Sequence, residues 1–211
     1  MFVKTARYTL LWMLALLCAC SMAGATDAQL PPLDAAYIDV DPAAQRVVPL
    51  DAEDAAARSG LEALLRREPR NALARLQFAQ LQLDRGLRAR VARELDSAER
   101  FSEPGSELRR RVHFNAGWIL FRMGDFAGAR AQWTQAWQQH GGHPDWVPVA
   151  FALALWSEGD REGGLAYFRA ELAARPTAWA TPEAVQASTG DLSAGERFAL
   201  QSMRQAVAEA R

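Results

Sequence analysis

Residues 117–136, GWILFRMGDFAGARAQWTQA, carry the pattern that decides the fold of this chain. An apolar run ends at Gly124, Asp125 follows it, and a second run with helical spacing begins. Glycine readily adopts the left-handed conformation with which many helices end, and aspartate caps the first turn of the next helix. The stretch therefore predicts two helices joined by a tight turn.

The same turn signal recurs along the chain. Gly86, Gly124 and Gly159 each end an apolar run, each is followed by a second helical run, and they lie 38 and 35 residues apart. Internal periods of this size are typical of solenoids built from paired helices. From Asp51 onward the pattern stays helical, so the sequence predicts an all-α fold.

These positions resemble the signature of the tetratricopeptide repeat (TPR) family, in which a small residue, a turn glycine, an aromatic residue, alanine and a large residue follow one another. The central unit matches at every type: Gly117, Gly124, Phe126, Ala129, Trp133 and Ala136. The units before and after match in part, because each has an arginine where the signature has an aromatic residue. The resemblance covers residues 51–178 and implies a solenoid of about three repeats after a lone leading helix, residues 51–68. An unrelated helical bundle with chance spacing is the alternative.

The last segment, residues 179–211, is expected to cap the solenoid. Thr181 precedes a proline, as at many helix starts, and Ser193 with Glu196 forms a capping box that opens a final helix. The predicted apolar face of that helix comprises Phe198, Leu200, Met203 and Val207. Such a helix would close the exposed end of the last repeat.

Residues 26–50, called the arm here, precede the helical pattern. They contain four prolines, at positions 31, 32, 42 and 49, together with Asp34, Asp39 and Asp41. Prolines and acidic residues at this density predict an extended segment.

The first 25 residues have the features of a secretory signal peptide. Lys4 and Arg7 precede an apolar run of eleven residues, which is too short for a membrane-spanning helix. Cleavage after Ala25 would leave a soluble protein. Alternatively, Leu17-Cys18-Ala19-Cys20 resembles a bacterial lipobox, which would make Cys20 the lipidated first residue and a membrane tether. Both alternatives predict secretion to the bacterial periplasm, and the second predicts an outer-membrane lipoprotein.

Composition narrows the function classes. The chain has 211 residues, of which 50% are hydrophobic, and a formal net charge of −1. Of its 24 basic residues only Lys4 is lysine. Nucleic-acid binding is disfavoured, because it needs a strongly positive surface. No cysteine follows residue 20, so an intrachain disulfide, a thiolate metal site and a cysteine nucleophile are excluded downstream of it.

The TPR resemblance implies a concave groove lined by the first helix of each pair. In the two later units, the residues at these positions are aromatic, apolar or basic, and we predict that they bind a partner: Arg111, Phe114, Trp118, Phe121, Arg122, Trp146, Leu153 and Trp156. Apolar anchors on one face suit a segment laid into a groove, and Arg111 with Arg122 would fix an acidic group. In the rival interpretation the arm or the C-terminal helix fills the groove.

Residues 66–93 carry eight arginines against two acidic residues, a local excess of +6. A surface for anionic lipid headgroups or acidic partners is one interpretation, and a solvated helix face is the simpler one.

Catalytic and metal motifs are not found in the sequence. There is no Gly-x-Ser-x-Gly, phosphate loop or His-Glu-x-x-His motif, and His140 and His143 flank two glycines without enough further ligands for zinc. We therefore expect no cofactor and no catalytic residue. The sequence favours a non-catalytic adaptor that binds a protein or peptide segment of a cell-envelope complex. A structural subunit that uses the groove to form oligomers, and an envelope enzyme with an unrecognised site, are the alternatives.

Overall fold

The computed structural model describes residues 29–210 of the chain. Within this range nine α-helices pack in antiparallel pairs and no sheet forms. The helices are α1 (Ala55–Arg67), α2 (Ala72–Asp84), α3 (Arg88–Arg100), α4 (Glu107–Arg122), α5 (Phe126–His140), α6 (Val147–Glu158), α7 (Arg161–Ala174), α8 (Pro182–Ser188) and α9 (Ala194–Glu209). A single 3-10 turn, Pro176–Trp179, lies between α7 and α8. The predicted all-α class is confirmed.

Polar side chains cap the start of most helices. The predicted caps Asp125, Asp160 and Thr181 each accept a hydrogen bond from the backbone N–H three residues on. Ser193 and Glu196 form the predicted capping box at the start of α9. These short-range signals determine where α5, α7, α8 and α9 begin.

The predicted turn glycines also adopt the expected conformation. Gly86, Gly124 and Gly159 have φ angles of 72°, 82° and 98°. The turns join α2 to α3, α4 to α5 and α6 to α7, which are the three main antiparallel pairs. The lone leading helix is α1, which lies within the predicted residues 51–68.

A glycine–tryptophan contact holds the central pair together. Gly117 on α4 leaves room for the fully buried Trp133 on α5, whose indole Nε1 donates to the carbonyl of Phe114 at 3.1 Å. A Cβ added at Gly117 would lie 2.2 Å from Trp133 Nε1. The pair therefore packs closely only because residue 117 has no side chain.

The largest apolar cluster spans α4 to α7 and the C-terminal helices, and it includes Tyr37 of the arm. Leu200, Met203 and Val207 of α9 are buried in it as predicted. Phe198 is not, because 72% of its surface is exposed. The prediction that it lies on the apolar face was wrong for a geometric reason. Each residue turns a helix by about 100°, so a rotation of about 200° separates Phe198 from Leu200 and the two lie on nearly opposite sides of α9.

Residues 29–50 of the arm form no helix. They include one isolated parallel bridge between Asp39 and Pro144 and a turn in which the N–H of Ala44 donates to the carbonyl of Asp41. None of the helices described is long and apolar enough to cross a membrane. The predicted signal peptide, the lipobox and Cys20 lie outside the described residues.

Candidate functional site

The arm contacts the three helical pairs in the reverse order of the chain, from α7 and the loop before α6 to α4 and then to α2. The carbonyl of Pro31 accepts a hydrogen bond from Tyr167 of α7, and Asp39 pairs with the loop between α5 and α6. Further along, the carbonyl of Val48 accepts from Gln77 of α2 at 3.4 Å. We call the surface of α2, α4 and α6 beneath the arm the inner face.

Asp41 anchors the middle of the arm. Its carboxylate accepts hydrogen bonds from Arg110 Nε at 3.1 Å and from Trp146 Nε1 at 3.2 Å, and also from the backbone N–H of Ala43 at 2.9 Å. The carboxylate side chain is fully buried. A buried charge is tolerated only when it is paired and hydrogen-bonded, so this position selects an acidic residue.

Asn115 on α4 holds the backbone of the arm. Its Oδ1 accepts from the N–H of Val47 at 2.7 Å, and its Nδ2 donates to the carbonyl of Gln45 at 2.9 Å. Nδ2 also donates to the carbonyl of Arg111 within α4, which fixes the amide orientation. Because both contacts with the arm are to main-chain atoms, they would fit any extended segment.

Arg46 continues the arm over an aromatic ring. Its guanidinium carbon lies 3.5 Å from the centroid of the Trp118 ring, and its nitrogens lie 3.1 Å from Asp191 and 3.9 Å from Glu196. Burial lowers the pKa of Arg46 to about 10, although the negative charges of Asp191 and Glu196 act to raise it. Arg46 therefore stays charged at neutral pH. The C-terminal segment thus covers the same face as the arm.

Glu196 links that segment to α4. Burial by itself would raise its pKa, but hydrogen bonds from Arg122, at 2.9 Å, and from the backbone of Ser193, together with the charges of Arg122 and Arg46, lower the pKa below its ordinary value. We predicted that Arg122 binds an acidic group of a partner. In the structure it binds Glu196 of its own chain.

The predicted aromatic site residues come together, but they are not open to solvent. Phe114, Trp118 and Trp146 are buried, and the ring centroids of Phe114 and Trp146 lie 5.3 Å apart. Leu153 is fully buried in the helical core and does not line an open groove. The expected exposed wall is covered, which agrees with the rival interpretation that the arm and the C-terminal segment occupy it.

The other predicted site residues lie at the margins. Phe121 is half-buried against Phe126 and Trp133, and Trp156 is half-buried under Arg161, whose guanidinium carbon lies 4.0 Å from its ring centroid. Arg111 is half-buried, and its Nε has no hydrogen-bond partner within residues 29–210.

Most of the residues that hold the arm were not predicted from the sequence. Arg110 binds the carboxylate instead of Arg111, and Asn115 was not singled out. On the arm, Tyr37, Asp41 and Ala43 are buried, whereas Asp39 between the first two is exposed. Their spacings of four and two residues follow no regular period, so the sequence offered no pattern that identifies them.

The arm does not fill the inner face completely. A cavity of about 310 Å³ remains between the arm, α4, α6 and the loop before α9. Phe114, Trp118 and Trp146 line it on the helical side, and Arg46 and Asp191 line it on the other. The space adjoins the predicted partner-binding residues.

Side chains with catalytic chemistry are scarce in the part of the chain described. Across residues 29–210 no three His, Cys, Asp or Glu side chains cluster as metal ligands would. His113 is buried and its Nδ1 lies 2.7 Å from Gln132 Oε1; burial lowers its pKa, so the ring is neutral at pH 7. His143 contacts Asp39 of the arm through its backbone.

The arginines of residues 66–93 mostly face solvent. Arg75 pairs with Glu94 at 2.6 Å. The other seven are exposed, and none forms an ion pair within the described residues: Arg66, Arg67, Arg70, Arg85, Arg88, Arg90 and Arg93. Their arrangement fits a solvated surface and leaves the lipid interpretation a prediction.

Comparisons with known proteins found no match for this chain. No protein family model, no curated protein and no solved structure matches it. The contacts between the arm and the inner face therefore carry the functional argument. Chemically, this face can hold an extended polypeptide through main-chain hydrogen bonds, one buried carboxylate and one arginine stacked on tryptophan.

Proposed function

We propose that this chain is a non-catalytic adaptor of the bacterial cell envelope, which binds an extended segment of a protein partner on its inner face. The helical pairs would be TPR-like repeats. Two features support that assignment: the left-handed glycine followed by an aspartate cap at two turns, and the close contact of Gly117 with Trp133.

One observation carries the binding proposal: the inner face already holds an extended polypeptide, its own arm. Asn115 contacts only main-chain atoms of that segment, and Arg110 with Trp146 receives its carboxylate. A surface that recognises backbone and one anchor side chain is suited to segments of other proteins. In this proposal the arm occupies the place that a segment of the partner would take.

The proposed location follows from the N-terminal sequence. A signal peptide would deliver the protein to the periplasm, where release after Ala25 gives a soluble adaptor. Lipidation at Cys20 would tether it to the outer membrane, with the arm connecting the lipid to the helical domain. Metabolic labelling with a palmitate analogue, compared with a Cys20→Ser variant, separates the two outcomes.

The experiment that tests the adaptor function is affinity capture from envelope extract, followed by binding of the purified partner. The bait is the full mature chain, compared with an Asn115→Leu variant that keeps a similar side-chain volume but loses both backbone hydrogen bonds. We expect the partner to bind the unmodified chain and to bind Asn115→Leu at least tenfold more weakly. Circular dichroism verifies that both baits are folded.

Phe198→Ala is the matched control, because among the described residues it removes the most exposed large aromatic side chain, which does not lie on the buried face of α9. Partner binding should be unchanged in this variant. Loss of the partner from Phe198→Ala with full retention by Asn115→Leu would contradict the proposal and move the interface to the outer surface of α9.

A further inference from the structure

We propose that the arm is an exchangeable occupant of the inner face, and that the partner segment displacing it repeats the chemistry of the arm. That segment would be extended except for one short turn, with a carboxylate residue at the start of the turn, a small residue two positions later and an arginine five positions after the carboxylate. In the arm these are Asp41, Ala43 and Arg46. This inference rests on the proposed adaptor function, because it names the kind of segment that the adaptor takes.

Three subsites define the pattern. The first is the pair Arg110 and Trp146, which receives the buried carboxylate of Asp41. The second holds Ala43, a small residue that is completely buried. The spacing of two residues is set by a turn, in which the N–H groups of Ala43 and Ala44 donate to the carboxylate and to the carbonyl of Asp41.

The third subsite selects a cation. The Trp118 ring faces the guanidinium of Arg46 at 3.5 Å, and Asp191 and Glu196 supply negative charge beside it. Arginine combines stacking on an aromatic face with bidentate hydrogen bonding, so lysine would satisfy this subsite less well. Acidic and basic anchors five residues apart also fix the direction in which a segment binds.

The contacts of the arm also explain why it can be displaced. Its outward side chains Ile38, Val40 and Val48 are 61%, 82% and 71% exposed, so much of its apolar surface contributes nothing to holding it. The hydrogen bonds from Asn115 are to backbone, and any extended chain makes them equally well. Compared with a separate segment, the arm binds more readily because it is covalently attached, which gives it an effective concentration on the order of millimolar at the inner face.

A disulfide lock provides the test. Asp39 Oδ2 accepts from the N–H of His143, and a Cβ added at Gly142 would lie 2.7 Å from that oxygen. The side chain of residue 39 thus reaches residue 142, and we choose these two positions for the disulfide. The chain has no cysteine after residue 20, so in a mature protein starting at Thr26 the pair Asp39→Cys, Gly142→Cys has no competing thiol. Oxidation fixes the arm in place and reduction releases it.

The probe is a fluorescent synthetic peptide of residues 33–50, added in trans to the full mature double-cysteine protein. We expect the peptide to bind the reduced protein and to bind the oxidised protein at least tenfold more weakly by anisotropy. A peptide with Asp41→Asn should lose at least tenfold in affinity for the reduced protein. The matched Asp34→Asn peptide should bind normally, because Asp34 is exposed.

Equal binding to the oxidised and reduced proteins, or no binding to the reduced protein, would overturn the proposal. So would a disulfide that forms between chains with a doubled mass in light scattering, since the occupant would then be a second copy. Failure of the adaptor function has a different signature: the peptide exchanges as expected, but no envelope protein depends on Asn115 for capture.

Discussion

At the scale of single residues, the closest packing in the helical pairs lies at Gly117. A methyl group at this position would overlap the indole of Trp133, which is fully buried and hydrogen-bonded to the backbone of α4. The ring has little space to move, because Trp118, Phe121 and Phe151 surround it. The absence of a side chain at Gly117 is thus a packing requirement rather than a matter of backbone conformation.

Gly117→Ala should lower the free energy of unfolding by about 2–3 kcal/mol, the upper part of the range for overpacking a tight core. The matched control is Gly60→Ala on α1, where an added Cβ meets nothing within 4 Å. That substitution should raise stability by about 0.5–1 kcal/mol, because alanine favours helix more than glycine does. Urea unfolding of both variants is the measurement, and equal effects in the two would contradict the packing explanation.

Glu196 predicts a pH dependence. The pKa of Glu196 is lower in the folded chain, so the unfolded chain binds a proton at this carboxylate more readily. The carboxylate therefore stabilises the fold above the ordinary pKa of 4.5, and this stabilisation is lost as the pH falls through the lower folded-state pKa. Glu196→Gln should therefore cost about 1–3 kcal/mol at pH 7, where Arg122 loses a charged partner. Urea unfolding should show this difference shrinking below pH 4.5. A difference that is constant with pH would contradict the proposed role of the carboxylate.

At the scale of elements, α9 contributes a single buried face. Met203 is fully buried in the main apolar cluster, whereas Phe198 lies on the opposite side in solvent. Met203→Ala should cost about 2–4 kcal/mol through lost burial and the cavity left behind, while Phe198→Ala should stay within about 0.5 kcal/mol. Thermal or urea unfolding measures both. Similar losses in the two variants would show that α9 packs in another orientation.

Individual helices were predictable from the sequence because their boundaries depend on local chemistry. Gly124 with Asp125 and Ser193 with Glu196 act over three or four residues, so their signals can be read without knowing the fold. The error at Phe198 came from grouping apolar residues without applying the helical period.

The covering of the inner face was not predictable in the same way. Asp41 and Arg110 are 69 residues apart, and nothing near either residue indicates the other. Proline and acidic residues predicted an extended arm, but they did not indicate that Tyr37 and Asp41 would be buried. Of the predicted aromatic residues, Phe114, Trp118 and Trp146 lie together, but the sequence left open what would cover them, because that depends on long-range contacts.

At the scale of the whole molecule, the arm joins parts of the chain that are distant in sequence. It contributes Tyr37 to the main cluster, Val47 to the cluster of α2 to α4, and Leu50 to the cluster of α1 and α2. An adaptor with this design would hold a covered binding face until a partner segment replaces its own.

Amide hydrogen exchange of the full mature chain, followed by mass spectrometry, tests the occupation of the inner face most directly. The N–H groups of Asp39, Ala43, Ala44 and Val47 all donate hydrogen bonds in the folded chain. We predict that residues 39–47 exchange at least tenfold more slowly than an unstructured chain, and that Asn115→Leu speeds this exchange while leaving α6 protected. Exchange across residues 39–47 at the rate of an unstructured chain would contradict the account, because the inner face would then be open.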